Sequence, residues 1–433
     1  MNSSRTTRRL APLLLGAGLV AAAWRMPLVP APRFVPVPVT PATQRAPLPP
    51  FFTGRMLPQV TPSAHACSLA VAPDGALLAA WFGGSSEGAR DVAIQMVRLP
   101  EAALAPTTTD APPADSPWVS LDRDRLQTLT SRVIRKIGNP VLWFDGAGRL
   151  HMLVVSVSYG GWSGSAVNQL SSDDEGHTWS EARRLVVSPF FNLSTLVRTQ
   201  PQVLEDGTVG VPAYHELVQK WGLWLRVTGD GHVLASSPMQ RYEGGWLQPA
   251  VAPLSSVDAV AALRSSARSH RVGWSATKDG GQSWPLRPAG STVEVPNPDS
   301  SVAMIRLFDG TLLMACNPEA SGRRRLQLYR SRDEGETWEA SRLIEAGETG
   351  DEFSYPALVQ DRQARIHLGY TWKRRGIRVC SFSPEWLDAA DDGRPAAALL
   401  PAVVEQAVPS NPPDTPHASE VPATTAPAPE VRP

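Results

Sequence analysis

The chain has 433 residues, with Lys+Arg and Asp+Glu both at 41, so its formal net charge is zero. That length suits one large or two ordinary domains, and the balance argues against nucleic acid or an acidic membrane surface as a global electrostatic partner. Three cysteines, Cys67, Cys316 and Cys380, lie far apart in apolar runs, which predicts buried thiols rather than a disulfide frame or a metal site.

In chain order, Arg5, Arg8 and Arg9 precede an apolar run over residues 10–24 that ends near Ala21-Ala22-Ala23. This is the layout of a secretory signal, and the mature chain is expected outside the cytoplasm, in the periplasm or beyond. Left uncleaved, the same segment would tether the chain to the inner membrane. Residues 25–52 hold nine prolines and read as an extended tether. Residues 53–388 then read as short strands punctuated by turn dipeptides, and residues 389–433 as a disordered Pro/Ala-rich tail.

Within the strand-rich region one stretch recurs. Ser172-Asp-Asp-Glu-Gly-His-Thr-Trp179, Thr277-Lys-Asp-Gly-Gly-Gln-Ser-Trp284 and Ser331-Arg-Asp-Glu-Gly-Glu-Thr-Trp338 share Ser/Thr-x-Asp-x-Gly-x-Ser/Thr-Trp. The copies start 105 and then 54 residues apart, a period of about 53, the repeat length of a propeller blade. Asp and Ser/Thr side chains bond nearby amides, Gly supplies a left-handed position, and Trp offers an apolar face, so the box is a turn staple. Asp74-Gly75, Asp145-Gly146, Asp206-Gly207, Asp309-Gly310 and Asp361 mark the turns of five units, and Leu254-Ser-Ser-Val-Asp258 fills the one gap. The reading is an all-β, six-bladed β-propeller, with seven blades the main rival count. The first unit lacks a box, the third has only Gly229-Asp230-Gly231, and Ser383-Pro-Glu-Trp386 reads as a worn remnant of the sixth.

Three boxes on six such units resemble the sialidase (neuraminidase) superfamily, and the bacterial predicted sialidases with BNR repeats in particular, across residues 60–386. The resemblance implies a glycosidase in which three arginines grip the sugar carboxylate, a Tyr is nucleophile with a Glu to draw off its proton, and an Asp serves as acid/base. The family's first arginine falls at His65. Its acid/base falls at Glu87, with Asp91 as competing carboxylate. The second arginine matches Arg264, and the third matches Arg323, with Arg325 on the same strand face. The nucleophile matches Tyr355. The activating Glu falls at Gln248, which cannot take a proton from a phenol, leaving Glu216 as the nearby substitute. Asn139-Pro140 and Asn297-Pro298-Asp299 stand where loops line a propeller mouth.

The expected function is an exported, sialidase-like, exo-acting hydrolase of a terminal acidic or modified sugar, monomeric and without cofactor. The loss at His65 and Gln248 motivates the alternative, a catalytically inactive carbohydrate-binding propeller of the cell envelope. A protein-interaction scaffold is the third reading.

Overall fold

The computed structural model describes residues 32–40, 44, 46–104, 116–188, 192–217, 219–239, 245–266, 269–287 and 294–401. The segment read as a signal or anchor lies outside these residues, as does most of the proline- and threonine-rich insertion at 100–117. Among the described residues, no helix is long and apolar enough to cross a membrane.

Six antiparallel sheets follow one another along the chain and make a six-bladed propeller. The innermost strands are Ser63–Val71, Lys136–Phe144, Leu196–Val197 with Gln202–Val203, Leu247–Pro253, Ala303–Arg306 and Phe353–Gln360. Each blade packs between two others, so both faces of its strands are covered. The second strands of blades one and two, Leu77–Gly84 and Leu150–Val157, are accordingly buried at every position; the first reads as an unbroken apolar run, and the second is interrupted only by the buried His151 and Ser156. Blade six draws its outermost strand, Phe52–Met56, from the start of the domain, with Phe52 opposite Phe382 and Gly54 opposite Cys380. The ring is thus closed by backbone hydrogen bonds between the two ends of the domain. The three cysteines are free and buried, and burial pushes Cys67 and Cys380 up to about 12.

The boxes staple turns as expected. In the last of them Asp333 accepts from Thr337 N (2.8 Å), Thr337 Oγ1 (2.6 Å) and Ser331 Oγ (2.8 Å), while Gly335, at φ 86°, donates its amide to Ser331 Oγ (2.8 Å). Each box Trp reaches back to the preceding blade. Trp179 donates Nε1 to Ser120 Oγ (2.9 Å), Trp284 lies 5.4 Å from Trp224, and Trp338 stacks at 5.0 Å on Trp274. Blade three keeps two of the bonds without the Gly, the second Ser/Thr or the Trp: Thr228 Oγ1 bonds Asp230, and His232 N bonds Thr228 Oγ1.

Three expectations are corrected. Ser383 is not a worn box. Its hydroxyl caps the helix Pro384–Asp388, and Trp386 stacks on Phe52 at 4.7 Å. The described part of the proline-rich segment is not a free tether but a strap across the far end of blades three to five. Phe34 N donates to Ser256 O (2.8 Å), Glu205 N to Arg33 O (2.8 Å) and Thr40 N to Phe308 O (2.7 Å), and the Phe34 ring is buried among Trp224, Met239, Trp246 and Trp284. The tail also begins later than read. Residues 389–401 fold back on the domain, with Ala396 and Ala397 buried and Asp391 paired to Arg342; residues 402–433 lie outside the described part.

Candidate active site

The inner strands share a local irregularity. Those of blades one, two, four and six carry a register shift, at His65/Ser68, Gly138/Val141, Leu247/Ala250 and Ser354/Ala357. At each shift one residue has left-handed backbone: Ala66 (φ 59°), Asn139 (φ 45°), Gln248 (φ 48°) and Tyr355 (φ 53°). Such bulges re-aim a side chain out of the pleat. For a bulky residue before proline this backbone costs about 1–3 kcal/mol and must be held by its surroundings. At Tyr355 the holder is Arg198, whose Nη2 donates to the carbonyls of Tyr355 (2.5 Å) and Pro356 (3.1 Å).

Around the Tyr355 ring stand the guanidiniums of Arg198 (5.3 Å), Arg323 (5.6 Å) and Arg264 (6.0 Å), from blades three, five and four. The His65 ring, from blade one, lies at 4.1 Å. Groups from so many blades meet only at the propeller axis, near the start of the inner strands. Arg264 donates Nη1 to the Tyr355 hydroxyl (2.9 Å) and Nε to Asp299 (2.8 Å). Arg323 pairs with Glu352 (3.0 Å) and donates Nη2 to the Asp299 carbonyl (2.9 Å). Arg374 completes the group, bridging Glu352 (3.0 Å) and Glu87 (2.6 Å).

These charges set the protonation pattern. Burial raises the Tyr355 phenol, but Arg264 and Arg323 outweigh it and leave the group below its ordinary value, with Gln248 helping through a hydrogen bond and Glu87 opposing. His65 is held well below 6.5 by burial and by Arg374, Arg198, Arg323 and Arg264, so it is a neutral ring, with Nδ1 2.9 Å from Thr371 Oγ1. Glu352 lies below the usual carboxylate range, because Arg323 and Arg374 overcome its burial. Glu216 is raised by burial, against the pull of Lys220 and Arg264.

The structure therefore brings together Tyr355, His65, Arg264, Arg323, Gln248 and Glu87, with Glu216 within electrostatic reach of Arg264. Asn139 occupies the equivalent bulge of blade two. Two expected residues are elsewhere engaged. Asp91 accepts from Ser85 N (2.8 Å) and Ser85 Oγ (2.9 Å), closing its own loop, so Glu87 is the carboxylate left for the mouth. Arg325 is exposed at the start of its strand, where its charge acts on the Tyr329 phenol, whereas Arg323 precedes the strand and turns to Glu352. Gln248 donates Nε2 to the Tyr214 hydroxyl (3.1 Å), so an amide and a second phenol stand where a carboxylate was sought. Arg198, Glu352 and Arg374 escaped sequence reasoning. Among the described residues, no group of three or more His, Cys, Asp or Glu is placed to hold a metal ion.

What the cluster can do follows from its charge. Four guanidiniums face three carboxylates, Asp299, Glu352 and Glu87, and Arg198 forms no ion pair with any of them. An excess buried cation favours an anionic ligand or an ionised phenol.

The BNR repeat-like domain matches residues 75–368, well over half of the chain. No curated protein matches it. Among solved structures, Hadza microbial sialidase Hz136 superposes with a TM-score of 0.59 at 16% identity, covering 75% of this chain and 66% of its own, so the chain spans just under two-thirds of that sialidase. The intramolecular trans-sialidase from Ruminococcus gnavus, in complex with oseltamivir carboxylate, gives 0.59 at 12% identity, with 78% and 98% covered. A protein of unknown function from Dyadobacter fermentans gives 0.59 at 14%, with 82% and 100% covered. At these identities the likeness carries the fold. The chain belongs to the BNR repeat-like domain family and is a sialidase-like six-bladed propeller.

Proposed function

We propose that the chain is an exported glycoside hydrolase that removes a terminal sugar bearing a carboxylate. One observation carries this reading: the Tyr355 hydroxyl accepts from Arg264 within a ring of guanidiniums that holds more positive than negative charge. Arg264 and Arg323 would grip the sugar carboxylate, and neutral His65 would offer a ring nitrogen where a further arginine is absent. The Tyr355 oxygen would attack the anomeric carbon while Glu87 gives its proton to the leaving oxygen. Water would then release the sugar from the tyrosine, with Glu87 taking the proton back.

Gln248 has no basicity to offer, so the phenol would give its proton to water before the attack, an ionisation that the charge of Arg264 and Arg323 favours against burial. The basic residues at 5–9 and the apolar run after them support export, and an uncleaved segment would anchor the chain.

The second reading, a propeller that binds acidic glycans without cleaving them, is favoured by Gln248 and by the pairing of Glu87 with Arg374. A panel of fluorogenic sialosides and uronides separates the two. Hydrolysis by the wild type, abolished in Tyr355→Phe and reduced at least a hundredfold in Arg264→Met, supports the enzyme, since two charge-assisted hydrogen bonds are worth about 3–6 kcal/mol. Glycan binding with no turnover, lost in Arg264→Met, supports the binding protein.

A further inference from the structure

Beside the Tyr355 cluster, between blades one and two, lies a cleft of about 630 Å³ that the reaction above does not use. Its walls are formed by Gly88 and Arg90 of the loop after strand Leu77–Gly84, by the helix Arg123–Thr130, and by Arg135 and Lys136 at the start of the blade-two inner strand. All of these belong to the end of the propeller where His65 and Tyr355 sit: the helix is capped by Asp122, which pairs with Ala93 level with the start of the blade-one inner strand. The join is direct. Glu87 turns inward to Arg374, while Gly88, the next residue, lies under the Lys136 ammonium, so close that a Cβ there would be 3.3 Å from Nζ.

The charge of the cleft is one-sided. Four cations line it, and Asp124, the carboxylate on its wall, is taken by Arg123 at 3.1 Å. Arg90, Arg135 and Lys136 enter no ion pair among the described residues. A chain of zero net charge thus gathers three unmatched cations in one hollow. Next to them the Tyr159 ring is 69% exposed, with the Arg135 guanidinium 5.6 Å from its centre, a flat apolar face of the kind on which a sugar ring stacks. The volume falls within the range of ligand pockets generally.

We propose that this cleft is the leaving-group subsite and that it selects glycans carrying further anionic groups, carboxylate or sulfate, just inside the terminal sugar. The assignment of the leaving-group side rests on Glu87 as acid/base in the reading above; the preference for anionic glycan does not. Exposed cations steer and hold such a chain by charge, so the preference weakens as salt screens it.

The experiment compares two reporter substrates with the same terminal sialic acid, one on a neutral lactose and one on a 6-sulfated or sialylated lactose. It uses the full chain and an Arg90→Glu/Lys136→Glu variant whose melting temperature is checked first. The expected result is a kcat/KM for the anionic substrates about tenfold or more above the neutral one at low salt, the advantage vanishing in the variant and in 0.5 M salt. Turnover of the neutral substrate by the variant is the reference: it should fall by clearly less than turnover of the anionic substrates, so that the ratio between the two, rather than either rate alone, reads the cleft. Binding of a heparin-derived tetrasaccharide by calorimetry gives a readout without turnover. Binding that the variant loses, with no hydrolysis of any substrate, would sink the hydrolase reading and leave the anionic cleft standing. Hydrolysis without an anionic advantage, or tetrasaccharide binding unchanged in the variant, would overturn the cleft.

Discussion

Asp333→Ala separates what the boxes do from what the mouth does. The Asp333 carboxylate accepts three hydrogen bonds, from Thr337 N, Thr337 Oγ1 and Ser331 Oγ. The site is near the surface, so each bond contributes at the low to middle part of the usual 0.5–1.5 kcal/mol, about 1.5–3 kcal/mol together. For a domain of this size that is roughly 2–4 °C in Tm. Asp230→Ala in blade three is the internal control. There the carboxylate holds one hydroxyl, Thr228 Oγ1, and exposed pairs with His232 (3.3 Å) and Arg183 (4.0 Å) that contribute little, while the turn amide of His232 bonds Thr228 instead, so the loss should be clearly smaller than that of Asp333→Ala. Differential scanning fluorimetry and denaturant titration read the ranking. Turnover or glycan binding per folded molecule should match wild type in both, since the boxes lie at the far end of the blades from Tyr355. Equal Tm losses in the two variants, or an Asp333→Ala protein of unchanged Tm that no longer binds glycan, would refute the assignment of the box to structure.

Two further outcomes follow from the described contacts. Burial and four arginines keep the folded His65 neutral, whereas an unfolded His65 takes up a proton near pH 6.5. Stability therefore falls as pH drops through 6.5, by up to about 1.4 kcal/mol per pH unit for this group. His65→Gln should show a shallower loss between pH 7 and 5.5 in chemical denaturation, and parallel curves would contradict the neutral assignment. Phe34→Ala empties a pocket walled by Trp224, Met239, Trp246 and Trp284, a change worth about 3–5 kcal/mol in a core, limited here by how tightly the strap docks. Limited proteolysis should cut the variant within residues 32–40 well below the temperature at which the propeller melts. Wild-type resistance in that segment would mean that the strap is held by its backbone bonds alone.

The blade count was legible because the turn chemistry of a box is local: the bonds of its Ser/Thr and Asp side chains close within five residues, so the letters spell the geometry. Even the worn copy at Thr228-Gly-Asp230 kept its two bonds. The site was half legible. Tyr355, Arg264 and Arg323 were found through the family resemblance, by their match to its motif positions, and the bulge that aims Tyr355 has its own signature. Asn139-Pro140, Gln248-Pro249 and Tyr355-Pro356 recur on every second blade, an x-Pro mark on the inner strand that links Asn139, Gln248 and Tyr355. Arg198, Glu352 and Arg374 could not be read in the same way. Their roles arise only between blades: Arg198 of blade three meets Tyr355 of blade six more than 150 positions away, and Glu352 and Arg374 of blade six pair with Arg323 of blade five and Glu87 of blade one. The strap was misread because proline content dominates its composition. Phe34, the sole aromatic in residues 26–50, was the signal that this stretch had something to bury.

Covalent capture at Tyr355 tests the central claim most directly. A fluorinated sialosyl fluoride, which forms the tyrosyl linkage faster than water breaks it, should add one sugar to the wild-type protein by intact mass. Peptide mapping should place the sugar on the segment containing Phe353-Ser-Tyr355-Pro356, and Tyr355→Phe should gain nothing. Unmodified wild-type protein that still hydrolyses sialosides, or a sugar mapped to any other residue, would contradict the account.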